Sequence, residues 1–177
     1  MYILRELQRS DIEIINNWRN DKDLISYLGS PFRYINKEID ERWYEDYLLN
    51  RNSTVRCAII KEEVIIGIVS LTNIDCISRT GIFHIMIGDI TSQNKGAGEF
   101  ASIEILKHAF NNLNLNRIEL LVLENNKRAI HLYEKLGFFS EGIKREAVFK
   151  DGKYQNMIIM SLLKKDFLSK EGKNEKN

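Results

Sequence analysis

Proline is almost missing from this chain: Pro31 is the only one in 177 residues. With no proline-rich or Gly/Ser-rich linker to divide it, a chain of this length fits one domain with a sizeable core. Cysteine is scarce as well, and Cys57 and Cys76 do not make a disulfide framework, so a reducing cytoplasm is the expected compartment. No apolar run approaches the roughly 20 residues needed to span a bilayer, and the opening Met1-Tyr2-Ile3-Leu4-Arg5-Glu6-Leu7 lacks the apolar core of a signal peptide. Neither sign of charge dominates: 26 Lys and Arg against 25 Asp and Glu leave a formal +1. That balance gives no general drive toward nucleic acid or an anionic membrane. His84, His108 and His131 show no metal-ligand spacing, so no metal is expected.

The residues that are present pattern into strands and helices. Tyr2 to Leu7 reads as a strand, followed by a helix with a Ser10/Asp11 cap that carries Ile12, Ile15 and Trp18 on one face. A second helix is expected from Lys37 to Leu49, with Ile39, Trp43, Tyr47 and Leu48 as its apolar stripe. Its acidic residues, Glu38, Asp40, Glu41, Glu45 and Asp46, are expected on a solvated face. Val55–Ile60 and Val64–Leu71 form a hairpin around Lys61-Glu62-Glu63, and Ile82–Ile87 is the next strand. A helix over Glu99–Asn111 presents Phe100, Ile103, Leu106 and Phe110. Strand Ile118–Leu123 is nearly all apolar, as in a strand buried on both faces. A helix over Lys127–Leu136 has the stripe Ala129, Leu132, Tyr133, Leu136 and stops at Gly137. Asp151-Gly152 between Lys144–Phe149 and Asn156–Leu163 marks a last hairpin. This order predicts an α/β (α+β) fold, a mixed sheet flanked by helices. Residues 1–167 are expected to be the domain and residues 168–177 a polar tail that frays, with no apolar side chain from Ser169 onward.

The segment Gln93-Asn94-Lys95-Gly96-Ala97-Gly98 lies between a strand and a helix. Such a turn presents free backbone N–H groups and the positive end of a helix dipole, which suits a phosphate or pyrophosphate. It lacks the Gly-Lys-Ser/Thr ending of a nucleoside triphosphate loop and the G-x-G-x-x-G spacing of a dinucleotide fold. Gly96 and Gly98 permit close backbone approach, and Asn94 tolerates a left-handed conformation.

A second segment, Asn126-Lys127-Arg128-Ala129-Ile130-His131-Leu132-Tyr133-Glu134-Lys135-Leu136-Gly137-Phe138, is similar to the pattern N-x-x-A-x-x-L-Y-E-K-x-G-F of the GCN5-related N-acetyltransferases, the GNAT family. The loop resembles that family's acetyl-CoA pyrophosphate signature, Q/R-x-x-G-x-G/A, through Gln93, Gly96 and Gly98. Asp151 to Asn156, Met160 to Leu163 and Trp18-Arg19-Asn20-Asp21 resemble its ribosomal-protein and polyamine acetyltransferase branch. The resemblance covers nearly all of residues 1–167. It implies the GNAT fold, in which the strands matching Ile82–Ile87 and Ile118–Leu123 splay apart. Acetyl-CoA would then lie with its pyrophosphate on Gln93, Asn94, Lys95, Gly96, Ala97, Gly98 and Glu99. Its amide-bearing arm would follow the strand at Ile85 and Ile87, near Asn126 and Tyr133, like an added strand.

The resemblance further implies direct attack of a neutral primary amine on the thioester, with Tyr133 as the acid that protonates the departing sulfur. The bland alternatives are a core tyrosine at Tyr133 and a simple helix cap at Asn126. Many relatives carry a glutamate on the strand before the loop, where this chain has Phe83 between Ile82 and His84, and no carboxylate occurs from Gly81 to Gly88. His84 is therefore the candidate base, against a histidine merely packed in a strand or a water chain with no dedicated base. Cys57 and Cys76 lack a catalytic setting and read as plain thiols. Tyr34, Trp43 and Tyr44 are candidates for the acceptor pocket, with core packing as the alternative for Trp43. The acceptor is a small-molecule amine, such as a polyamine or amino sugar, or a protein N-terminus. The rival is a non-catalytic acyl-CoA-binding or regulatory module. A homo-oligomer formed through exposed strand edges is a further expectation of such folds.

Overall fold

The computed structural model describes residues 1–174, with side chains through residue 170. Its strands are β1 (Tyr2–Glu6), β2 (Val55–Lys61), β3 (Val64–Asp75), β4 (Thr80–Ile87), β5 (Arg117–Leu123), β6 (Phe139–Lys150) and β7 (Lys153–Leu163). The helices are α1 (Ile12–Arg19), α2 (Lys22–Ser26), α3 (Lys37–Leu49), α4 (Ala97–Lys107), α5 (Lys127–Leu136) and α6 (Lys164–Asn174). The strands form one sheet in the order β1-β2-β3-β4-β5-β7-β6. All neighbours are antiparallel except β4 and β5, which run parallel.

Period-2 alternation gives the sheet two apolar faces. On one, Phe83, Ile118, Leu120 and Val122 pack beneath α4 and α5 with Leu106, Phe110, Tyr133 and Leu136. On the other, Ala58, Ile60 and Met86 pack beneath α1 and α3 with Ile12, Ile15, Trp18, Tyr44 and Tyr47. The sheet is thus covered by helices on both faces, as the element order predicts. No helix among the described residues is long and apolar enough to cross a membrane.

The parallel pair does not run its full length. β4 and β5 pair only at Thr80–Arg117, Gly81–Ile118 and Ile82–Glu119. Beyond that point β4 keeps pairing with β3 up to Ile87, while β5 keeps pairing with β7 up to Leu123. The sheet therefore forks after Ile82. The N–H groups of Gly88 and Asp89 both donate to the Ile66 carbonyl, at 2.9 and 3.0 Å, which makes a bulge where β4 ends. Below the fork, Arg117 bonds Glu119 and Glu141, and the Ser161 hydroxyl donates to Glu141. Those bonds hold Glu141 well below the usual carboxylate range, at about 2, and tie β5, β6 and β7 together.

The structure departs from the sequence reading at five points. The buried face of α3 is Asp40, Tyr44 and Tyr47, whereas Ile39 and Leu48 are exposed. Asp40 is fully buried rather than solvated because Arg19 forms an ion pair with it and Asn16 donates to it. On β5 the expected two-sided burial fails at Leu121, which is 43% exposed where the fork leaves it uncovered. Helix α4 starts at Ala97, two residues before the expected Glu99, and its last turn at His108–Asn112 widens to a π-helix. Helix α6 runs across the boundary placed between residues 167 and 168, anchored by Phe167 against Phe110 at 5.2 Å. Residues 175–177 of the expected tail lie outside the described residues.

Candidate active site

The loop after β4 is built to leave its amides facing outward. Asp89 caps the turn by accepting from Thr91 N at 3.0 Å, and the Ser92 hydroxyl closes on the same carboxylate at 2.5 Å. Gln93 reaches back so that its Nε2 donates to the Ile87 carbonyl at 3.1 Å, and its Oε1 accepts from Arg128 at 3.4 Å. The Tyr2 hydroxyl donates to the Lys95 carbonyl at 2.8 Å. Asn94 and Gly96 take positive φ, 60° and 86°, as their residue types allow. Helix α4 then begins, and the N–H groups of Ala97, Gly98 and Glu99 in its first turn have no acceptor among the described residues.

A Cβ built at Gly96 would meet no described residue beyond its chain neighbours within 4 Å, so the space over these amides is open. Open amides at a helix N-terminus fit a pyrophosphate. Of the residues expected there, the Ala97 side chain is in the core and the Glu99 side chain is held by Lys135 at 2.7 Å, which leaves their N–H groups to act.

Phe83 is the first residue of β4 past the last pair with β5, so it marks the vertex of the fork. Its ring is 2% exposed and meets the Tyr133 ring edge-on, with centroids 5.9 Å apart at 82°. Tyr133 is thereby held at the vertex from the α5 side. Its hydroxyl makes no hydrogen bond to any described residue, and burial pushes its pKa up to about 12. A phenol of that pKa stays protonated at neutral pH and is a donor rather than a base. The aromatic contact with Phe83 places the Tyr133 ring in the core, the alternative weighed for this residue.

His84 follows Phe83 and therefore points to the opposite face. Its Nε2 lies 2.9 Å from the Thr72 hydroxyl, and it keeps an exposed edge. Enough protein surrounds the ring to lower its pKa below the ordinary value, and the positive charge of Arg56 lowers it further. Neutral His84 can accept a proton. Arg56 sits over the Trp43 ring at 4.3 Å, its Nε buried without a hydrogen-bond partner among the described residues.

Asn126 caps α5 through Oδ1, which accepts from Ala129 N at 3.1 Å, while its Nδ2 donates to the Tyr27 carbonyl at 3.0 Å. Ile85 and Ile87 line β4 beyond the vertex on the α4/α5 side, and the Ile87 carbonyl is already taken by Gln93. Of the three acceptor-pocket candidates, Tyr34 lines an open cavity of about 500 Å³ with Asn20, Ile35, Asn36 and Ile39. Trp43 stacks on Arg56, and Tyr44 is buried in the core beneath α3. Burial, with Glu6 nearby, pushes the Cys57 thiol up to about 11, which leaves little thiolate for an acyl-cysteine route. Tyr2 and Arg128 escape a sequence reading because their partners lie 93 and 35 residues away.

A parallel pair that forks, an amide-lined loop at the head of α4 and a tyrosine at the vertex are the arrangement the motifs imply. The GNAT acetyltransferase domain profile matches residues 2–139. The chain belongs to the GNAT acetyltransferase family. Among curated proteins, the acetyltransferase is 32% identical to the spermidine N(1)-acetyltransferase of Vibrio cholerae, over 94% of this chain and 95% of that protein. It is 29% identical to the Escherichia coli K12 spermidine N(1)-acetyltransferase, over 94% and 88%. Among solved structures, the V. cholerae spermidine N-acetyltransferase in complex with CoA and spermine superposes with a TM-score of 0.88 at 32% identity, covering 94% of this chain and 98% of that one. The chain is an acetyl-CoA-dependent N-acetyltransferase acting on a primary amine.

Proposed function

We propose that the acceptor is the primary amine of a small molecule, with polyamines the first class to test, and that transfer occurs directly at the fork. The observation that carries the chemical part is the vertex itself, flanked by Tyr133 from the α5 side and His84 from the opposite face. Near-full-length similarity to spermidine N(1)-acetyltransferases supports the polyamine part. Residues 1–167 work as one unit in this reading, and the compartment is the cytoplasm.

Acetyl-CoA supplies a thioester carbonyl open to a neutral amine and a thiolate that leaves. The open amides of Asn94 to Glu99 bind the pyrophosphate, with Gln93 and Tyr2 holding the loop in shape. Ile85, Ile87 and Asn126 guide the arm along β4, so the reacting carbonyl reaches the vertex. His84, neutral and hydrogen-bonded to Thr72, takes the proton the amine releases, directly or through one water. Tyr133 gives its proton to the departing sulfur.

For His84→Gln, kcat is expected to fall by about 10²-fold, since positioned proton transfer contributes roughly 10²–10⁴. In the wild type, turnover should decline as pH falls through a value below 6.5, because the His84 pKa is lowered and protonation removes the acceptor. Wild-type turnover and an unchanged acid limb in the variant would assign His84 to packing. The acceptor is tested by thiol release from acetyl-CoA across spermidine, spermine, putrescine, amino sugars and N-terminal peptides. The reading expects the highest kcat/KM on a polyamine. Highest activity on a peptide would overturn the small-molecule assignment, and CoA binding without turnover on any amine would indicate a binding module.

A further inference from the structure

Lys150 stands at the tip of the β6–β7 hairpin, paired with Lys153 across the Asp151-Gly152 turn. A lysine beside such a turn is ordinarily solvated. Here it is 5% exposed, and no carboxylate among the described residues forms an ion pair with it. Its Nζ donates instead to the carbonyls of Ile25, Leu28 and Ser30, at 2.6, 2.5 and 2.9 Å. All three belong to the end of α2 and the turn that follows it; the Ile25 carbonyl also accepts from Leu28 N at 3.0 Å, while those of Leu28 and Ser30 lie past the helix end. An ammonium has three N–H donors on one compact centre, so three converging acceptors fit it better than they fit a planar guanidinium. Burial lowers the Lys150 pKa, opposed by Asp151, so the site is held against a desolvation cost.

The same turn is gripped from two other directions. At Gly29 a Cβ would lie 2.5 Å from the Met157 methyl group of β7, so the turn rests directly on the sheet. Between Ile25 and Leu28, the Tyr27 carbonyl accepts from Asn126 Nδ2, and Asn126 is the N-cap of α5. Helix α5 carries Tyr133 two turns further on. A continuous chain of hydrogen bonds therefore runs from Lys150 through residues 25–30 to Asn126 and the start of α5. Beside it, Ser26, Tyr27, Asn125, Asn126 and Asp151 line a cavity of about 360 Å³.

We infer that Lys150 is a positioning residue for acetyl transfer: by fixing the turn at residues 25–30, it sets the Asn126 side chain and, through it, the start of α5 and the place of Tyr133. The inference rests on the reading of Tyr133 as the proton donor. Neither Lys150 nor residues 25–30 bond the pyrophosphate loop; the two are joined through α5, where exposed Arg128 donates to Gln93 Oε1 at a long 3.4 Å, so loss of Lys150 should act on turnover far more than on binding of acetyl-CoA.

The test is a double-mutant cycle on kcat with folded protein, using Lys150→Met and Asn126→Asp. The aspartate keeps an oxygen to accept from Ala129 N but has no N–H for the Tyr27 carbonyl. Each single variant is expected to lose about tenfold in kcat, because misplacement near 1 Å costs up to about 10²-fold. Because both break the same link, the double variant should lose about tenfold as well, where independent effects would multiply to about 100-fold. Lys150→Met should keep its acetyl-CoA Kd within about threefold. Lys150→Gln, which retains two N–H donors, should recover most of the lost turnover and provides a folded readout if the methionine variant is unstable. Multiplying losses, or a lowered Tm with unchanged kcat, would overturn the inference. If Tyr133→Phe alone has no effect while the cycle shows coupling, the proton-donor reading fails and the link to Asn126 stands.

Discussion

Replacing Tyr133 by Phe is expected to lower kcat by about 10²-fold while acetyl-CoA affinity changes by less than about threefold, given the usual contribution of a positioned acid. The substitution removes one oxygen and leaves the ring. The edge-on contact with Phe83 and the tilted contact with Phe138, at 5.8 Å, keep that ring in place, so the fold should survive. The hydroxyl has no partner among the described residues, so deleting it strands no buried acceptor there. Any large effect on turnover therefore reports on the reaction rather than on packing. Initial rates at saturating acceptor, with acetyl-CoA binding measured separately, check it. Equal turnover would return Tyr133 to the role of a core residue and leave the leaving sulfur without an acid from α5.

The second large effect is expected at Gly96. Its φ of 86° is one that a β-branched residue adopts only with strain of roughly 1–2 kcal/mol. No described residue beyond its chain neighbours lies within 4 Å of the position a Cβ would take, so no clash with them adds to that strain. A valine there projects into the open space before the Ala97, Gly98 and Glu99 amides. Gly96→Val should weaken acetyl-CoA by about tenfold or more, equivalent to about 1.4 kcal/mol. It should leave kcat at saturating cofactor within about threefold, since the vertex is untouched. Gly96→Ala should show a smaller shift in the same direction. Titration calorimetry with CoA measures both, and unchanged affinity in the valine variant would remove the pyrophosphate from this loop.

These two residues were legible in the sequence because each sits in a local pattern. The α5 stripe, the Gly137 stop at φ 101° and the Asp151-Gly152 turn at φ 50° and 77° all follow from neighbouring residues. What could not be read depends on partners far along the chain. Asp40 reads as one more acid on a solvated helix until Arg19 and Asn16, 21 and 24 residues earlier, enclose it. Lys150 reads as a hairpin residue until carbonyls more than 100 residues away converge on it. Tyr44 and Trp43 exchange expectations for a similar reason: the facing of α3 is set by α1 and by Arg56, not by its own periodicity. The fork is intermediate. Both strands are plain in the sequence, but the point of divergence after Ile82 comes from β4 following β3 while β5 follows β7.

The central claim is that the amine and acetyl-CoA occupy the fork together and that the acetyl group passes directly between them. Two-substrate initial rates with acetyl-CoA and the best acceptor test it most directly. Intersecting double-reciprocal lines, with no thiol burst in the absence of amine, are the predicted result. Parallel lines with a burst of thiol and an acetylated protein would contradict it.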